Sequence, residues 1–314
     1  MKKLIAILLS ACMLLALCAC GGSTSLTFAT GGDTGTYYAF GSVLAQYVSG
    51  NTDLSVTAVV GNGSQSNVED IDAGEVQLCF CQSDVMSYAY AGKNLFSEPV
   101  GSFSVVAALY MEQVQIVTLN PEIKTVADLA GKTVSIGAAG SGVYFNAIDV
   151  LGVYGLTESD INPVYQSFGD SADSLKDGKI DAAFIVAGAP TNAISDLAAG
   201  GDVYLVSIDD EHIDKLLELS PYYKPFTVAA DVYGMPEDAQ TVAIAAVVLA
   251  RDDVSKDDVY AFVSTIFENI DALKEQHGKG AELSLEFASS ITDVPYHPGA
   301  AQYFAEKGYD VAVK

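Results

Sequence analysis

Arginine and histidine are scarce in this sequence of 314 residues, which contains three histidines and Arg251 as its one arginine. A site that clamps an anionic ligand with several arginines is therefore excluded. His212, His277 and His297 lack the spacing of a zinc motif, and neither a Walker loop nor a Gly-x-Ser-x-Gly pattern is present. The sequence predicts no enzyme, no metal site and no cofactor. A hydrolase or transferase with Ser141 as its nucleophile is the disfavoured alternative.

Positive charge is also rare, since 15 Lys and Arg stand against 40 Asp and Glu and the net charge is −25 at pH 7. Such a surface repels nucleic acid and anionic lipid head groups, so nucleic acid is not expected as a partner. We interpret the charge as a solubility feature of an exported protein. The chain is half apolar, and at about 100–200 residues per domain it predicts two domains.

Three of the five cysteines lie within the first twenty residues. There, two lysines precede an apolar run at residues 4–17, which is shorter than the roughly 20 residues of a spanning helix and typical of a secretory signal. The run leads to Leu-Cys-Ala-Cys-Gly-Gly, which resembles a bacterial lipobox and predicts Cys20 as an acylated first residue. An ordinary signal peptide with a free Cys20 is the alternative. We expect a signal peptide at residues 1–19 and a short tether at residues 20–25. The protein is then anchored in the lipid bilayer at the outer face of the cytoplasmic membrane, or periplasmic in a Gram-negative cell.

The two remaining cysteines, Cys79 and Cys81, alternate within an apolar run at residues 76–81. Alternation in a strand points both thiols to one face about 7 Å apart, which disfavours an unstrained disulfide. Because no histidine or second cysteine pair accompanies them, a metal or redox pair is the disfavoured alternative. The pattern predicts two buried thiols.

Strands and helices alternate in two similar stretches that begin about a hundred residues apart. Each stretch has the order strand, glycine loop, helix, strand, helix, strand, as judged from the spacing of its apolar residues. In each, a helix ends at a glycine one or two residues before a buried strand. Two similar α/β lobes are predicted. The predicted strands include residues 26–29, 54–60, 76–81, 133–137 and 182–186.

Two apolar runs at residues 104–110 and 114–119 surround Met111-Glu112-Gln113, which we predict as the first crossing between the lobes. Residues 226–233 are the predicted return. These crossings assign residues 26–110 and 230–314 to lobe I, and residues 111–229 to lobe II.

Ligands of open parallel sheets bind beyond the carboxyl ends of the strands, where loops and helix N-termini converge. Four segments of the sequence are of this kind, at residues 31–38, 61–67, 82–84 and 140–142. Glycines allow backbone N–H groups to approach a ligand, and a helix N-terminus favours negative charge. The predicted ligand-binding residues are Gly32, Thr34, Tyr37, Tyr38, Ser64, Gln82, Ser83, Asp84, Ser141, Gly142 and Asp181.

The expected roles follow from the missing arginines, because backbone N–H groups and serine hydroxyls must then hold a ligand carboxylate. A ligand ammonium would contact Asp84 or Asp181. Tyr37 or Tyr38 would form an aromatic wall beside it. Structural alternatives stay open, with Ser83 and Asp181 as backbone caps and the tyrosines as core.

Several short motifs occur in a fixed order from residue 26 to the end, and together they resemble the TAXI group, the TRAP-associated extracytoplasmic immunogenic proteins. No single motif decides the resemblance, which rests on their order and spacing. The motifs are Ala29-Thr30-Gly31-Gly32 with Tyr37-Tyr38, Gly63-Ser64-Gln65-Ser66-Asn67, Gln82-Ser83-Asp84, residues 128–135, Gly140-Ser141-Gly142, residues 177–182 and residues 295–300.

The resemblance implies a type II periplasmic-binding-protein fold with two α/β lobes joined by a hinge. It further implies closure on a small polar solute, such as glutamate, glutamine or a related carboxylate, and delivery to a TRAP membrane permease. Two positions depart from the family pattern, with Val143 in place of a hydroxyl residue and Asn62 in place of a glycine. The predicted function is therefore an extracytoplasmic solute-binding lipoprotein of a TRAP-type transporter. A ligand-sensing lipoprotein and an ABC-importer receptor of the same fold are the alternatives.

Overall fold

The computed structural model describes residues 23–314. The predictions of a signal peptide and of an acylated Cys20 lie outside these residues. Within them, no helix has both the length and the apolar character needed to cross a membrane.

Strands and helices alternate as far as β10, and the chain after β10 is helical. Four of the helices are short 3-10 helices, at Val126–Leu129, Glu158–Asp160, Ala230–Val232 and Gly278–Glu282. The strands are β1 (Thr24–Ala29), β2 (Leu54–Val59), β3 (Leu78–Gln82), β4 (Phe103–Thr118), β5 (Thr133–Ser135), β6 (Asn162–Val164), β7 (Ala182–Ala187), β8 (Tyr204–Leu205), β9 (Lys224–Val228) and β10 (Ala239–Arg251). The α-helices are α1 (Thr36–Asn51), α2 (Ser64–Asp72), α3 (Ser83–Ala91), α4 (Val143–Val153), α5 (Phe168–Lys176), α6 (Asn192–Ala198), α7 (Asp210–Leu219), α8 (Lys256–Phe267), α9 (Ile270–Gln276), α10 (Leu285–Ala288) and α11 (Pro298–Glu306).

The sheet contains two parallel units of the same design. Its strand order is β2-β1-β3-β10-β4-β7-β5-β6, with β8 beside β4 and β9 beside β10. The units β2-β1-β3 and β6-β5-β7 are parallel, as expected where helices connect successive strands. β4 and β10 run antiparallel to their neighbours and join the two units. The repeated α/β order predicted from the sequence is confirmed.

β3 contains the two cysteines of the described residues, Cys79 and Cys81. All five of its residues are buried, because helices cover both faces of a parallel sheet. Cys79 and Cys81 are free thiols, and burial raises the pKa of both well above the usual value. The prediction of buried thiols is confirmed.

β4 and β10 each pass through two hydrophobic cores, and these cores locate the crossings between the lobes. In β4, Tyr110 belongs to the core around β1–β3, whereas Val114 belongs to the core around β5–β7. In β10, Ile244 still packs in the second core and Ala246 packs in the first. This packing supports a return crossing inside β10, in place of the predicted crossing at residues 226–233.

Residues 226–233 have an apolar pattern typical of a strand, but they end inside lobe II. Part of the run forms β9, which pairs with Ala239–Ala243 of β10. Val228 and Tyr233 pack in a lobe II cluster with β7 residues. We therefore propose that lobe I resumes within β10 near residue 245 and not at residue 230.

Candidate functional site

A cavity of about 590 Å³, counted with its open mouth, lies between the two lobes. It lies at the carboxyl ends of β1, β3 and β7, as expected for an open parallel sheet. Lobe I and β4 supply Gly31, Gly32, Gly35, Thr36, Tyr37, Gly61, Asn62, Gly63, Ser64, Gln82 and Glu112. Lobe II supplies Ala138, Ser141, Gly142, Val143, Ser167, Phe168, Val186 and Ala187.

Four helices begin at this cavity, namely α1 at Thr36, α2 at Ser64, α4 at Val143 and α5 at Phe168. The first N–H groups of a helix have no intrahelical acceptor, and the helix dipole favours an anion there. No acceptor among residues 23–314 contacts the backbone N–H of Ser64 or Val143. The cavity therefore offers main-chain donors to an acid group without any lysine or arginine in its described lining.

Ser141 presents a buried hydroxyl to the same cavity. Its side chain is 6% exposed, and its Oγ has no hydrogen-bond partner in the described part of the chain. A buried polar group left unpaired costs about 1–3 kcal/mol, which a ligand atom would offset. Ser64 differs, because its Oγ already accepts the backbone N–H of Gln82 at 3.0 Å.

Glu112 forms part of the cavity floor at the point where β4 crosses between the lobes. Its side chain is 2% exposed, and its Oε2 accepts the hydroxyl of Tyr37 at 2.7 Å. Burial raises the pKa of Glu112 to about 8; the Tyr37 hydrogen bond opposes this shift and the Asp84 carboxyl adds to it. Glu112 was predicted from the sequence only as part of a crossing between the lobes. The signal that could have identified it as a site residue is a lone carboxylate between two apolar strand segments.

The lobes contact each other directly around the cavity. Thr36 Oγ1 donates a hydrogen bond to the carbonyl of Gly188 at 2.8 Å. The backbone N–H of Ser66 donates to the carbonyl of Gly140 at 2.9 Å. These bonds join α1 and α2 of lobe I to loops of lobe II, so the structure has a closed arrangement.

Asn146 of α4 joins the lobes behind the cavity wall. Its Oδ1 accepts the Gln82 amide at 2.6 Å, and its Nδ2 donates to Asp84 Oδ2 and to the Tyr223 hydroxyl, both at 2.9 Å. Tyr223 in turn donates to Asp149 at 2.8 Å. Burial raises the pKa of Asp84 to about 7, although the hydrogen bonds that this carboxyl group accepts lower its pKa. Asp84 therefore belongs to the contact between the lobes.

The structure brings together six of the eleven residues that the sequence predicted for the site, which are Gly32, Tyr37, Ser64, Gln82, Ser141 and Gly142. Thr34 lies beside the lining, where its carbonyl accepts the backbone N–H of Ala193 at 3.2 Å. Tyr38 is half-buried on the next face of α1. Ser83 starts α3 and lines a separate depression that contains Tyr222.

Asp181 is far from the cavity along its strand. It precedes β7, whereas the lining residues Val186 and Ala187 end that strand. Its Oδ2 accepts the backbone N–H of Thr133 at 2.8 Å, which is the capping alternative. The proposed contact between Asp181 and a ligand ammonium is corrected for this reason, since the amino ends of parallel strands lie away from the site.

The rare cationic and imidazole side chains also lie outside the lining. The Arg251 guanidinium donates to the Gly74 carbonyl at 2.6 Å and pairs with Asp253. His297 caps α11, where its Nδ1 accepts the N–H of Gly299 at 3.2 Å. No histidine occurs among the described lining residues, so Ser141 has no imidazole base beside it.

Two solved structures with a similar fold are of binding proteins. The alkanesulfonate-binding protein SsuA of Xanthomonas axonopodis pv. citri, bound to MOPS, is 15% identical over 90% of this chain and 91% of that chain, with a TM-score of 0.53. An ancestral arginine-binding protein bound to arginine is 13% identical over 85% and 99% of the two chains, with a TM-score of 0.50. The predicted periplasmic-binding-protein fold is confirmed. Both of these similar structures are of binding proteins.

The family comparison is broader than the resemblance inferred from motifs. It does not single out the TAXI group, which stays a prediction. The model of the NMT1-like family matches residues 28–308. Since this match covers most of the sequence, the chain belongs to the NMT1-like family.

Proposed function

We propose that this protein is an extracytoplasmic receptor that closes its two lobes on a small solute carrying an acid group and delivers it to a membrane importer. The observation that carries the proposal is the buried, unpartnered hydroxyl of Ser141 in a cavity where four helices begin. Together these groups supply hydrogen-bond donors for an acid, and they come from both lobes. A ligand held by both lobes stabilises the closed arrangement over the open one.

The solute class is a small carboxylate, an amino acid or a sulfonate. The resemblance to the TAXI group favours glutamate, glutamine or a related carboxylate. The fold is shared with an alkanesulfonate-binding protein, whose ligand also ends in an acid group. Carboxylate and sulfonate oxygens are both suited to main-chain donors at helix N-termini.

The importer is more consistent with an ABC-type than with a TRAP-type transporter. The match to the NMT1-like family and the likeness to an alkanesulfonate-binding protein support this choice. A TRAP permease, a role in ligand sensing and a lipid anchor at Cys20 remain predictions from the sequence. A permease gene beside the gene of this protein would favour uptake, and a kinase or cyclase gene would favour sensing.

The proposal is tested by titration calorimetry with a panel of carboxylic acids, amino acids and sulfonates, guided by mass spectrometry of any solute that the purified protein retains. At least one acid should bind with a saturable isotherm. Ser141→Ala should weaken it about tenfold, since one hydrogen bond to a charged group contributes roughly 1.5 kcal/mol or more.

The matched control is Ser135→Ala, which removes a buried hydroxyl of lobe II that bonds to Ser171 at 2.8 Å, away from the cavity lining. This variant should lose stability but keep the affinity of the unmodified protein. The absence of saturable binding to every acid of the panel would contradict the proposed function.

A further inference from the structure

We infer that Glu112, positioned by Tyr37, selects solutes that carry a protonated amino group in addition to their acid group. The carboxylate of Glu112 accepts the amino group, while the acid group lies at Ser141 and the helix N-termini. The inference rests on the proposed function and deepens it. It defines the solute as an amino acid or an aminosulfonate and not as a simple acid.

One carboxyl oxygen of Glu112 has no hydrogen-bond donor among the described residues. This residue lines the same cavity as Ser141 and is 2% exposed. Its Oε2 accepts the Tyr37 hydroxyl at 2.7 Å, while no donor within residues 23–314 contacts its Oε1. The carboxyl group therefore keeps one acceptor available to a ligand.

Tyr37, which donates to Glu112, is held in a fixed position. The ring of Tyr37 is buried and stacks on Phe80, with 4.6 Å between the ring centroids and 8° between the planes. Because the ring cannot turn freely, its hydroxyl stays on Oε2 of Glu112. This bond fixes the orientation of the carboxyl group and directs Oε1 to the solute.

Glu112 lacks a cationic partner among the described residues. A buried carboxylate is unfavourable unless it is paired with a positive charge. The nearby Lys279 ammonium pairs with Glu282 at 2.5 Å and lies 5.5 Å from the ring centroid of Tyr110. Among the described residues Glu112 has no ion-pair partner, and a ligand ammonium supplies one.

The charge state of Glu112 then depends on the ligand. The titratable and charged groups that influence Glu112 or its partner Tyr37 are Cys81 of β3, Asp84 of α3, Tyr110 of β4 and Lys279 of the 3-10 helix at Gly278–Glu282. With the cavity empty, burial raises the pKa of Glu112 to about 8, so the carboxyl is mostly protonated at pH 7. An ammonium beside it lowers the pKa, and binding releases close to one proton at pH 7.

The experiment compares matched pairs of probes that differ in one amino group. The pairs are glutamate with glutarate, alanine with propionate, and taurine with ethanesulfonate. In any pair that binds, the amino member should bind at least tenfold more tightly. Glu112→Gln should lower this preference by about tenfold or more, because the amide keeps the shape of the side chain but loses its charge.

A matched control removes a glutamate carboxylate that also accepts a tyrosine hydroxyl but does not line the cavity. Glu158 Oε2 accepts the Tyr144 hydroxyl at 3.2 Å, and Glu158→Gln should leave the amino preference unchanged. Calorimetry in buffers of different protonation enthalpy should show close to one proton released at pH 7 by the unmodified protein, and markedly fewer by Glu112→Gln.

The outcomes separate this inference from the proposed function. Binding of acids without an amino preference, or an equal preference in Glu112→Gln, overturns the inference and leaves the receptor function intact. Binding of no acid at all overturns both.

If Glu112→Gln does not fold, Tyr37→Phe removes the hydrogen bond that lowers the pKa of Glu112. The affinity for the amino acid should then depend on pH over a higher range, and an unshifted profile would overturn the inference.

Discussion

Gly142 shows how closely the two lobes approach each other at a single residue. Its φ of −69° is one that any residue adopts, so backbone strain does not require a glycine there. A Cβ at this position would instead overlap Gln82 Oε1 of lobe I and lie 2.9 Å from Ser64 Oγ. The absence of a side chain at Gly142 therefore leaves room for the contact between the lobes.

Gly142→Ala is expected to prevent full closure and to lower solute affinity at least tenfold, while the fold of each lobe is retained. Gly152→Ala is the matched control, because it lies in the same helix α4 and a Cβ there meets no atom within 4 Å. The control should bind normally and gain about 0.5–1 kcal/mol of stability, since alanine is the better helix former. Equal affinity of the two variants would contradict the close approach described here.

The predicted residues include Gly32, Gly142, Ser64 and Ser141 of the cavity lining but not Glu112. Ser64, Gln82 and Ser141 could be predicted because they lie at or after the ends of strands, and local sequence patterns identify those strands. Glu112 enters the cavity because β4 continues from one lobe into the other, and this depends on tertiary structure. Asp181 was assigned to the wrong end of its strand, because an acidic residue before a strand cannot be on the carboxyl side.

At the scale of elements, the start of α1 contributes a hydrogen bond that exists only when the lobes are together. Thr36 Oγ1 donates to Gly188 of lobe II, and both groups are buried. Thr241 provides a comparison, because its buried Oγ1 donates to the Val114 carbonyl at 2.6 Å between neighbouring strands β10 and β4. The two threonines make chemically similar bonds in different structural contexts.

Thr36→Val and Thr241→Val should each cost about 1 kcal/mol, the net contribution of one such hydrogen bond. In Thr36→Val the lost free energy should destabilise the closed arrangement relative to the open one. The affinity for the solute should therefore decrease several-fold, and small-angle scattering should report a more open average shape. In Thr241→Val the loss should appear as a lower melting temperature with unchanged affinity. Equal changes in scattering for both variants would refute the assignment.

Strands and helices could be predicted where the sequence pattern is local. They could not be placed where their position depends on which strands pair. Strands β1, β2, β3, β5 and β7 have apolar runs that identify each of them by itself, whereas the short β6 does not. Residues 226–233 were predicted only as the return crossing. Their sequence does not show that β9 pairs with the first part of β10, and this pairing supports a return crossing inside β10.

At the scale of the whole molecule, two buried carboxyl groups link stability to pH. The pKa of Asp84 is raised to about 7 and that of Glu112 to about 8, in both cases chiefly by burial. In an unfolded chain both groups have ordinary values of 3.8 and 4.5. The folded protein therefore binds more protons than the unfolded chain between these limits, and its stability falls as pH rises.

The stabilising contribution of these two groups is complete below about pH 4 and is lost as pH rises through about 7 and 8. The melting temperature of the solute-free protein should consequently decrease between pH 6.5 and 9, by roughly 2–4 °C for each kcal/mol lost. The double variant Asp84→Asn with Glu112→Gln should show a much smaller decrease. His277 and His297 have a lowered pKa and act in the opposite direction, but they are present in both proteins and cancel in the difference.

A solute with an ammonium group should reverse part of this trend, because it stabilises the ionised form of Glu112. The measurement is differential scanning fluorimetry across pH with and without a saturating amino acid identified by calorimetry. The gain in melting temperature on binding should increase from pH 6.5 to 8 in the unmodified protein and stay nearly constant in Glu112→Gln. A gain that is independent of pH in both proteins would show that the carboxyl group at the centre of the closed molecule does not take part in binding.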